Sequence, residues 1–176
     1  MDRFFVITGG PGSGKTSLIA ALDGLHRMPE AGRAIIQDEL AAGGNALPWT
    51  NPLAFAEKML ARDIAAWRAA QRLDGCVIFD RGIPDVLGYL QWSDIPVPAH
   101  FARAAAAHRY NRRVFIAPPW PEIFTQDSER KQTLAEAETT CRAMRNIYIA
   151  LGYELMDLPL APVAERAAFV RAAISA

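Results

Sequence analysis

The sequence predicts an α/β protein built around a parallel β-sheet, and three observations support this prediction. Apolar runs without polar alternation recur at 4–7, 76–79 and 114–117, and such runs are typical of strands that are covered on both faces. Stretches with helical spacing of apolar residues separate these runs. A glycine-rich segment joins the first run to the first helical stretch. Because strands alternate with helices from end to end, we expect parallel strands with right-handed crossovers.

The glycine-rich segment reads GGPGSGKT from Gly9 to Thr16 and matches the phosphate-binding P-loop pattern G-x-x-x-x-G-K-[S/T]. Its glycines let backbone N–H groups turn around an anion, and the following helix N-terminus adds a partial positive charge. Lys15 is expected to reach the β- and γ-phosphates of a nucleoside triphosphate, and the Thr16 hydroxyl to ligate Mg²⁺. The predicted nucleotide-binding residues are Gly9, Gly10, Pro11, Gly12, Ser13, Gly14, Lys15, Thr16 and Ser17.

Composition indicates one globular domain spanning 1–176, with 51% hydrophobic and 22% charged residues. Basic and acidic residues both number 19, and this balance argues against a general nucleic-acid or membrane surface. The only cysteines, Cys76 and Cys141, are predicted to be reduced core thiols. No apolar run approaches the length of a membrane span, and the first strand begins without a signal-peptide pattern. We therefore expect a cytoplasmic protein.

The first half of the chain supplies three further predicted elements. After a helix at 17–22, a brief second strand is expected to end near Met28, followed by a helix over Ala31–Ala42. Asn51 and Pro52 are suited to the N-cap and first position of a long helix whose core face carries Ala56, Met59, Leu60, Ile64 and Trp67. A buried strand then covers 76–80.

The second half continues the alternation. Helices are predicted from Pro84 and over 99–110, and a strand over 113–117. Apolar spacing returns in a helix from Leu134 to Gly152, which precedes a last strand at 153–158. Pro162 begins a final helix, with Val163, Ala167, Val170 and Ile174 predicted to face inward.

Asp80 and Arg81 follow a buried strand directly, at the edge where open α/β sheets bind ligands. There, Asp80 is a candidate Mg²⁺ ligand or proton acceptor, and the alternative is a turn aspartate. Arg81 is a candidate for binding the second substrate through a phosphate or carboxylate, and the alternative is a structural ion pair. Glu30 and Arg33 form a second candidate pair after the short strand. One of Glu30 and Asp80 is expected to be the catalytic base, and Arg33 to bind substrate.

The segment at 118–133 breaks the pattern with prolines, Trp120 and a run of charges. It is predicted to be a lid, in which Arg130, and with it Lys131, neutralises charge on the γ-phosphate after closure. The alternative is a solvated run that precedes the next helix.

These motifs resemble small bacterial P-loop proteins described as AAA-like predicted ATPases, near nicotinamide riboside kinase and thymidylate and nucleoside kinases. The resemblance rests on GGPGSGKT, Phe-Asp-Arg-Gly-Ile-Pro-Asp at 79–85, Pro-Pro-Trp-Pro-Glu-Ile-Phe at 118–124, Asp-Ser-Glu-Arg-Lys at 127–131 and Leu-Gly-Tyr-Glu-Leu at 151–155. It implies a three-layer sandwich with a five-stranded parallel sheet in the order 2-3-1-4-5, and ATP as the nucleotide. It also implies an acceptor contact at Asp80 and Arg81, and a base at Glu30. The lid lacks the Arg-x-x-x-Arg pattern of adenylate kinases, so the resemblance does not identify the acceptor.

Two functions follow from these residues. The first is an ATP- and Mg²⁺-dependent kinase acting on a small molecule, such as a nucleoside or nucleotide. The second is an ATPase or nucleotide-dependent switch acting on a protein partner. The sequence has no Asn-Lys-x-Asp guanine motif, and no helical domain follows the core as in an AAA motor.

Overall fold

The computed structural model describes residues 2–124 and 133–175, which form a five-stranded parallel sheet between two helical layers. The strands are β1 Phe4–Gly9, β2 His26–Met28, β3 Val77–Asp80, β4 Arg113–Ala117 and β5 Glu154–Asp157. The helices are α1 Lys15–Ala20, α2 Ala31–Ala42, α3 Pro52–Ala70, α4 Ile83–Trp92, α5 Ala99–Ala107, α6 Leu134–Ala150 and α7 Val163–Ser175. A 3₁₀ turn covers Pro121–Ile123.

The strand order is β2-β3-β1-β4-β5, as the resemblance implied, with every neighbouring pair parallel. The first strand is central because its apolar side chains fill both layers. Phe4 and Val6 pack into one core with side chains of α3, α4, α5 and α6. Phe5 and Ile7 pack into the other core with α1 and α7. Burial on both faces explains why β1 has no polar alternation.

The long helix α3 follows the predicted pattern closely. Asn51 accepts a hydrogen bond from the Ala54 backbone N–H at 3.1 Å, and Pro52 occupies the first position. Ala56, Leu60 and Trp67 are buried against the first core, and Met59 and Ile64 pack against it partly buried. The inward stripe therefore recurs at helical spacing, as the sequence predicted.

Several predicted boundaries are displaced. The first helix begins at Lys15 and not Ser17, because the loop passes directly into it. Cys76 precedes β3 rather than belonging to it, and α5 ends at Ala107. On α7, Ala167 and Val170 are buried and Ile174 packs against the core partly buried, as predicted. Val163 is instead 37% exposed, whereas Arg166 is 2% exposed.

Candidate active site

The P-loop, Asp80 and Glu30 meet at one edge of the sheet because the strands that carry them are parallel and in register. Ile7 of β1 pairs with Asp80, the last residue of β3. Met28, the last residue of β2, pairs with Phe79, so Glu30 follows at the same edge. The carboxyl ends of the central strands therefore present these residues to a common ligand position, as in other open α/β sheets.

The P-loop is fixed by close backbone packing at its glycines. A Cβ at Gly9 would collide with the Ala117 carbonyl oxygen of β4, and a Cβ at Gly10 with that of Ala137 on α6. Gly14 has φ of 73°, a left-handed conformation that L side chains rarely adopt. The loop is thus preformed, with the backbone turned as a phosphate-binding loop requires.

Lys15 lies at the first position of α1 and is 7% exposed. Its Nζ donates to the backbone oxygens of Gly9 at 3.1 Å and Gly10 at 2.6 Å, and to Ser13 Oγ at 3.3 Å. Burial, and then the nearby charge of Arg81, lower the pKa of Lys15 to about 8. A phosphate at this position would favour the charged amine, so Lys15 is suited to binding an anion.

The candidate Mg²⁺ ligands are a hydroxyl oxygen and a carboxylate oxygen that make no hydrogen bond with the described residues. Thr16 is exposed, and its hydroxyl makes no hydrogen bond within the described chain. The Oδ1 atom of Asp80 is buried and likewise lacks a hydrogen-bond partner among residues 2–124 and 133–175. Hydroxyl and carboxylate oxygens suit Mg²⁺, which commonly binds one or two carboxylates together with substrate phosphates. The described residues contain no group of three or more His, Cys, Asp or Glu that could hold a metal alone.

Burial, and next the charge of Glu30, raise the pKa of Asp80. Glu30 shows the opposite shift. Its burial favours the neutral acid, but Arg81, Lys15 and Arg33 together lower its pKa. Two carboxyl groups in one site therefore have pKa values displaced in opposite directions, a pattern common where one group binds or moves a proton.

The side chain of Arg81, the residue after β3, joins Glu30, which follows β2, to Asp85 in the first turn of α4. Its Nε lies 3.3 Å from Glu30 Oε1 and its Nη1 lies 3.2 Å from Asp85 Oδ1. Its backbone N–H donates to Ile7 at 3.0 Å while the residue adopts φ of 69°. A non-glycine residue in this left-handed region costs about 1–3 kcal/mol, and such strain is concentrated at functional sites. The surrounding carboxylates oppose the effect of burial and raise the pKa of Arg81.

Asp85 was not a predicted site residue, but its buried carboxylate accepts four hydrogen bonds beside the P-loop. Its Oδ1 accepts from the Thr8 hydroxyl and from Arg81, and its Oδ2 accepts from the Gly82 backbone N–H at 2.9 Å and the Tyr148 hydroxyl at 2.6 Å. The sequence signal was an acid in the first turn after a glycine N-cap, the position of the capping box on α4.

Asp63 is a second residue missed from sequence. It lies on the inward stripe of α3 between Leu60 and Trp67, where the periodicity calls for an apolar side chain. It is half-buried and accepts no hydrogen bond within the described chain. Burial, and then the charges of Asp85 and Glu30, raise its pKa to about 8. In the sequence, Asp63 could have been noticed as an acidic residue at a helix position where the apolar spacing predicts a core side chain.

The remaining predicted site residues fall outside this group. Arg33 is exposed on α2, and its charge acts on Glu30. Its role in substrate binding remains a prediction. Of the predicted lid, 118–124 and Thr133 are described, and Trp120 and Ile123 lie beside the P-loop. Arg130 and Lys131 lie outside the described residues.

No helix in the described parts of the chain has the length and apolar character to cross a membrane.

Comparison with solved structures shows the same fold in two kinases. A deoxyadenosine kinase from M. mycoides with bound dATP aligns with a TM-score of 0.73 and 13% identity, covering 99% of this chain and 100% of that chain. A thymidylate kinase from Ehrlichia chaffeensis aligns with a TM-score of 0.62 and 12% identity, covering 99% of both chains. No curated protein sequence matches significantly. A family model described as an AAA domain matches residues 4–166, and the chain therefore belongs to the AAA_28 family of P-loop proteins.

Proposed function

We propose that this protein is an ATP- and Mg²⁺-dependent phosphotransferase that phosphorylates a small hydroxyl compound. One observation carries the proposal: the parallel register brings Glu30 and Asp80 to the sheet edge that holds the P-loop, where the charges of both act on Lys15. A proton acceptor beside the transferring phosphoryl group is what hydroxyl phosphorylation requires. The fold shared with two structures named as kinases is consistent with this reaction.

In the proposed reaction, an acceptor hydroxyl oxygen forms a bond to the γ-phosphorus of ATP. The bond from that phosphorus to the β–γ bridging oxygen breaks, and its electron pair leaves with ADP. The hydroxyl proton passes to Glu30, whose lowered pKa keeps it an ionised acceptor. Lys15 neutralises charge on the phosphates, and Thr16 and Asp80 would hold Mg²⁺, which supplies further charge neutralisation when bound.

We call the side of the P-loop that carries Glu30, Asp63, Asp80, Arg81 and Asp85 the acceptor flank, or acceptor side. Its charges favour an acceptor molecule without a phosphate group over a phosphorylated one. Glu30, Asp63, Asp80 and Asp85 surround this side, and the guanidinium of Arg81 already bonds two of them. A phosphate dianion placed there would face several carboxyl groups and a cation that is already paired. A hydroxyl or amino group could instead donate hydrogen bonds to these oxygens. A nucleoside therefore fits the proposal better than a nucleotide.

The test is acceptor-dependent ADP formation with matched pairs of compounds: thymidine and its 5′-monophosphate, cytidine and its 5′-monophosphate, ribose and ribose 5-phosphate. We expect turnover to rise with an unphosphorylated member of a pair. Turnover that rises only with phosphorylated members contradicts the acceptor class. Slow hydrolysis that no acceptor changes contradicts the kinase proposal and favours an ATPase or switch.

A further inference from the structure

Asp85 is a buried carboxylate whose hydrogen-bond donors include two hydroxyls from distant elements. It is 5% exposed and lies in the first turn of α4. Its Oδ1 accepts from the Thr8 hydroxyl of β1 and from Arg81 Nη1 at 3.2 Å. Its Oδ2 accepts from the Gly82 backbone N–H at 2.9 Å and from the Tyr148 hydroxyl of α6 at 2.6 Å. A carboxylate offers about four lone-pair sites, so these four bonds fix its position and the plane of its oxygens.

The Tyr148 hydroxyl reaches Asp85 because α6 packs closely on α4. Gly88 lies one turn after Asp85, and a Cβ at Gly88 would lie 2.8 Å from Met144 Sδ on α6. Met144 precedes Tyr148 by one turn, so both lie on the same face of α6. Tyr148 is fully buried, and burial, and then the charge of Asp85, raise its pKa well above the ordinary value. The hydroxyl therefore keeps its proton and donates a hydrogen bond to the carboxylate.

Asp85 in turn restricts where the guanidinium of Arg81 points. A guanidinium is planar and rigid, so a nitrogen that is bonded in place limits the direction of the others. With Nη1 on Asp85, the Nε of Arg81 faces Glu30 Oε1 at 3.3 Å. The backbone of Arg81 is held as well, because its N–H donates to the Ile7 oxygen at 3.0 Å. The cation beside Glu30 is thus fixed by its own backbone and by Asp85.

We propose that Tyr148 is a positioning residue for the proposed base, Glu30. Its hydroxyl fixes Asp85, and Asp85 fixes the guanidinium that faces Glu30. Thr8 has the same role from β1. The inference rests on the proposed function only in naming Glu30 the base. The alternative is that the Tyr148 hydroxyl stabilises the packing of α6 on α4 and has no effect on Glu30.

The charged groups around Glu30 determine what the loss of this hydroxyl should change. They come from several elements: Lys15 on α1, Arg33 on α2, Asp63 on α3, Asp80 on β3 and Arg81 after it. Burial favours the neutral acid of Glu30, but the cations outweigh it and lower the pKa, with Arg81 contributing most. Removing the Tyr148 hydroxyl leaves all these charges in place. Without that donor, Asp85 is less fixed and competes more strongly for Arg81, and both changes weaken the contact of Arg81 with Glu30. The pKa of Glu30 should therefore rise.

The test is a carbon NMR titration of the Glu30 carboxyl group in the unliganded protein, with Glu30→Gln used to assign its signal. The variants are Tyr148→Phe and Thr8→Val, which each remove a hydroxyl and retain the shape of the side chain. In both, the midpoint of the Glu30 titration should rise by about half a pH unit or more. Tyr153→Phe is the matched control, because its ring packs on that of Tyr148 with centroids 5.3 Å apart, whereas its hydroxyl accepts from the Tyr110 N–H. Its Glu30 titration should match that of wild type.

An unchanged Glu30 titration in Tyr148→Phe overturns the proposal, even if the variant is less stable, because the hydroxyl would then only stabilise helix packing. An equal rise in Tyr153→Phe overturns it too, since the cause would be a general loosening of the core. If Tyr148→Phe does not fold, Thr8→Val decides by the same criterion. Where an acceptor supports turnover, Tyr148→Phe should also lower kcat with the KM for ATP within about twofold of wild type, and an unchanged kcat contradicts the proposal. Absence of turnover with every acceptor contradicts the proposed function, whereas the titration needs no acceptor and decides the positioning of Glu30 by itself.

Discussion

The side of the P-loop with Lys15 and Arg166, the nucleotide flank, differs in charge from the acceptor flank, and the two are formed by different segments of the chain. On the nucleotide flank, Lys15 and Arg166 are buried cations that donate only to neutral oxygens within the described chain. On the acceptor flank, the guanidinium of Arg81 is bonded to Glu30 and Asp85. On the nucleotide flank, the described residues give the cations no anionic partner, so a bound anion would be stabilising. On the acceptor flank, the cation is already paired with two carboxylates.

Under the proposed function, this difference would let the protein hold ATP while disfavouring a second highly charged substrate. Donor groups that lack anionic partners gain most from a phosphate, whereas a paired guanidinium would have to give up a carboxylate to bind one.

The largest effect is expected for Lys15→Ala, which removes the charge that opposes the β- and γ-phosphates. Turnover should fall by about 10²–10³-fold or more, because such a charge acts on the transition state as well as on binding. The check is initial-rate kinetics with calorimetric ATP binding. Arg62→Ala, an exposed pair with Asp38 on the outer surface, is the control and should keep wild-type rates. Unchanged turnover in Lys15→Ala would contradict the proposal that this flank binds the phosphates of ATP.

Glu30→Gln is expected to lower turnover by about 10²–10⁴-fold with little change in ATP affinity, because it removes the proton acceptor and retains the shape. Asp80→Asn should instead raise the Mg²⁺ concentration needed for half-maximal rate. Rate measurements across Mg²⁺ concentrations separate the two. If Asp80→Asn alone abolishes turnover at saturating Mg²⁺ and Glu30→Gln does not, the two roles are exchanged.

Asp85→Asn tests whether the acceptor flank depends on its buried carboxylate. The change removes the negative partner of Arg81 and weakens the contacts from Thr8 and Tyr148. The free energy of unfolding should fall by about 3–5 kcal/mol, as is typical when one member of a buried pair is removed. Urea denaturation measures it, with Asp38→Asn on the surface as control, expected within about 0.5 kcal/mol of wild type. A similar small change in Asp85→Asn would show that the flank does not need this charge.

Asp63→Asn tests the electrostatics of the same flank and is expected to have the smallest effect. The folded pKa of Asp63 is about 8 against an ordinary value of 3.8, so between these values the folded state holds a proton that the unfolded state has lost. Stability due to this group therefore falls as pH rises through that window. The charges of Asp85, Glu30 and Arg81 act on Asp63, and burial, and then the charge of Asp63, raise the pKa of Tyr110.

The measurement is the difference in melting temperature between Asp63→Asn and wild type at pH 6 and pH 8. The variant should gain more at pH 8, because the loss of wild-type stability that comes from the proton held by folded Asp63 is larger there than at pH 6. Asp38→Asn, at an exposed residue that pairs with Arg62, is the control and should show no such trend. A difference that does not change with pH would mean that Asp63 titrates near its ordinary pKa.

Much of the fold could be predicted because its signals are local. The apolar run of β1, the glycines of the P-loop and the Asn51-Pro52 start of α3 each determine nearby backbone, and each was found where the sequence placed it. The Cys141 thiol is buried as its position on α6 indicated. The strand order was available from the resemblance and not from these local patterns.

The acceptor flank was less predictable because it is assembled from distant segments. Asp85 bonds Thr8, 77 positions away, and Tyr148, 63 positions away. Asp63 and Arg166 each lie on the helical stripe that apolar periodicity assigns to the core. A charged residue on an apolar stripe is a sequence signal worth treating as a site candidate, because burying it needs a partner.

The central claim is that the phosphoryl group of ATP moves to an uncharged hydroxyl on the carboxylate-lined flank. Phosphorus NMR of the reaction mixture tests it most directly, using the purified protein, ATP, Mg²⁺ and the paired thymidine and thymidine monophosphate, cytidine and cytidine monophosphate, and ribose and ribose 5-phosphate. The account predicts ADP together with a new phosphate monoester from an unphosphorylated compound. A diphosphate formed from a monophosphate, or inorganic phosphate as the sole new species beside ADP, would contradict it.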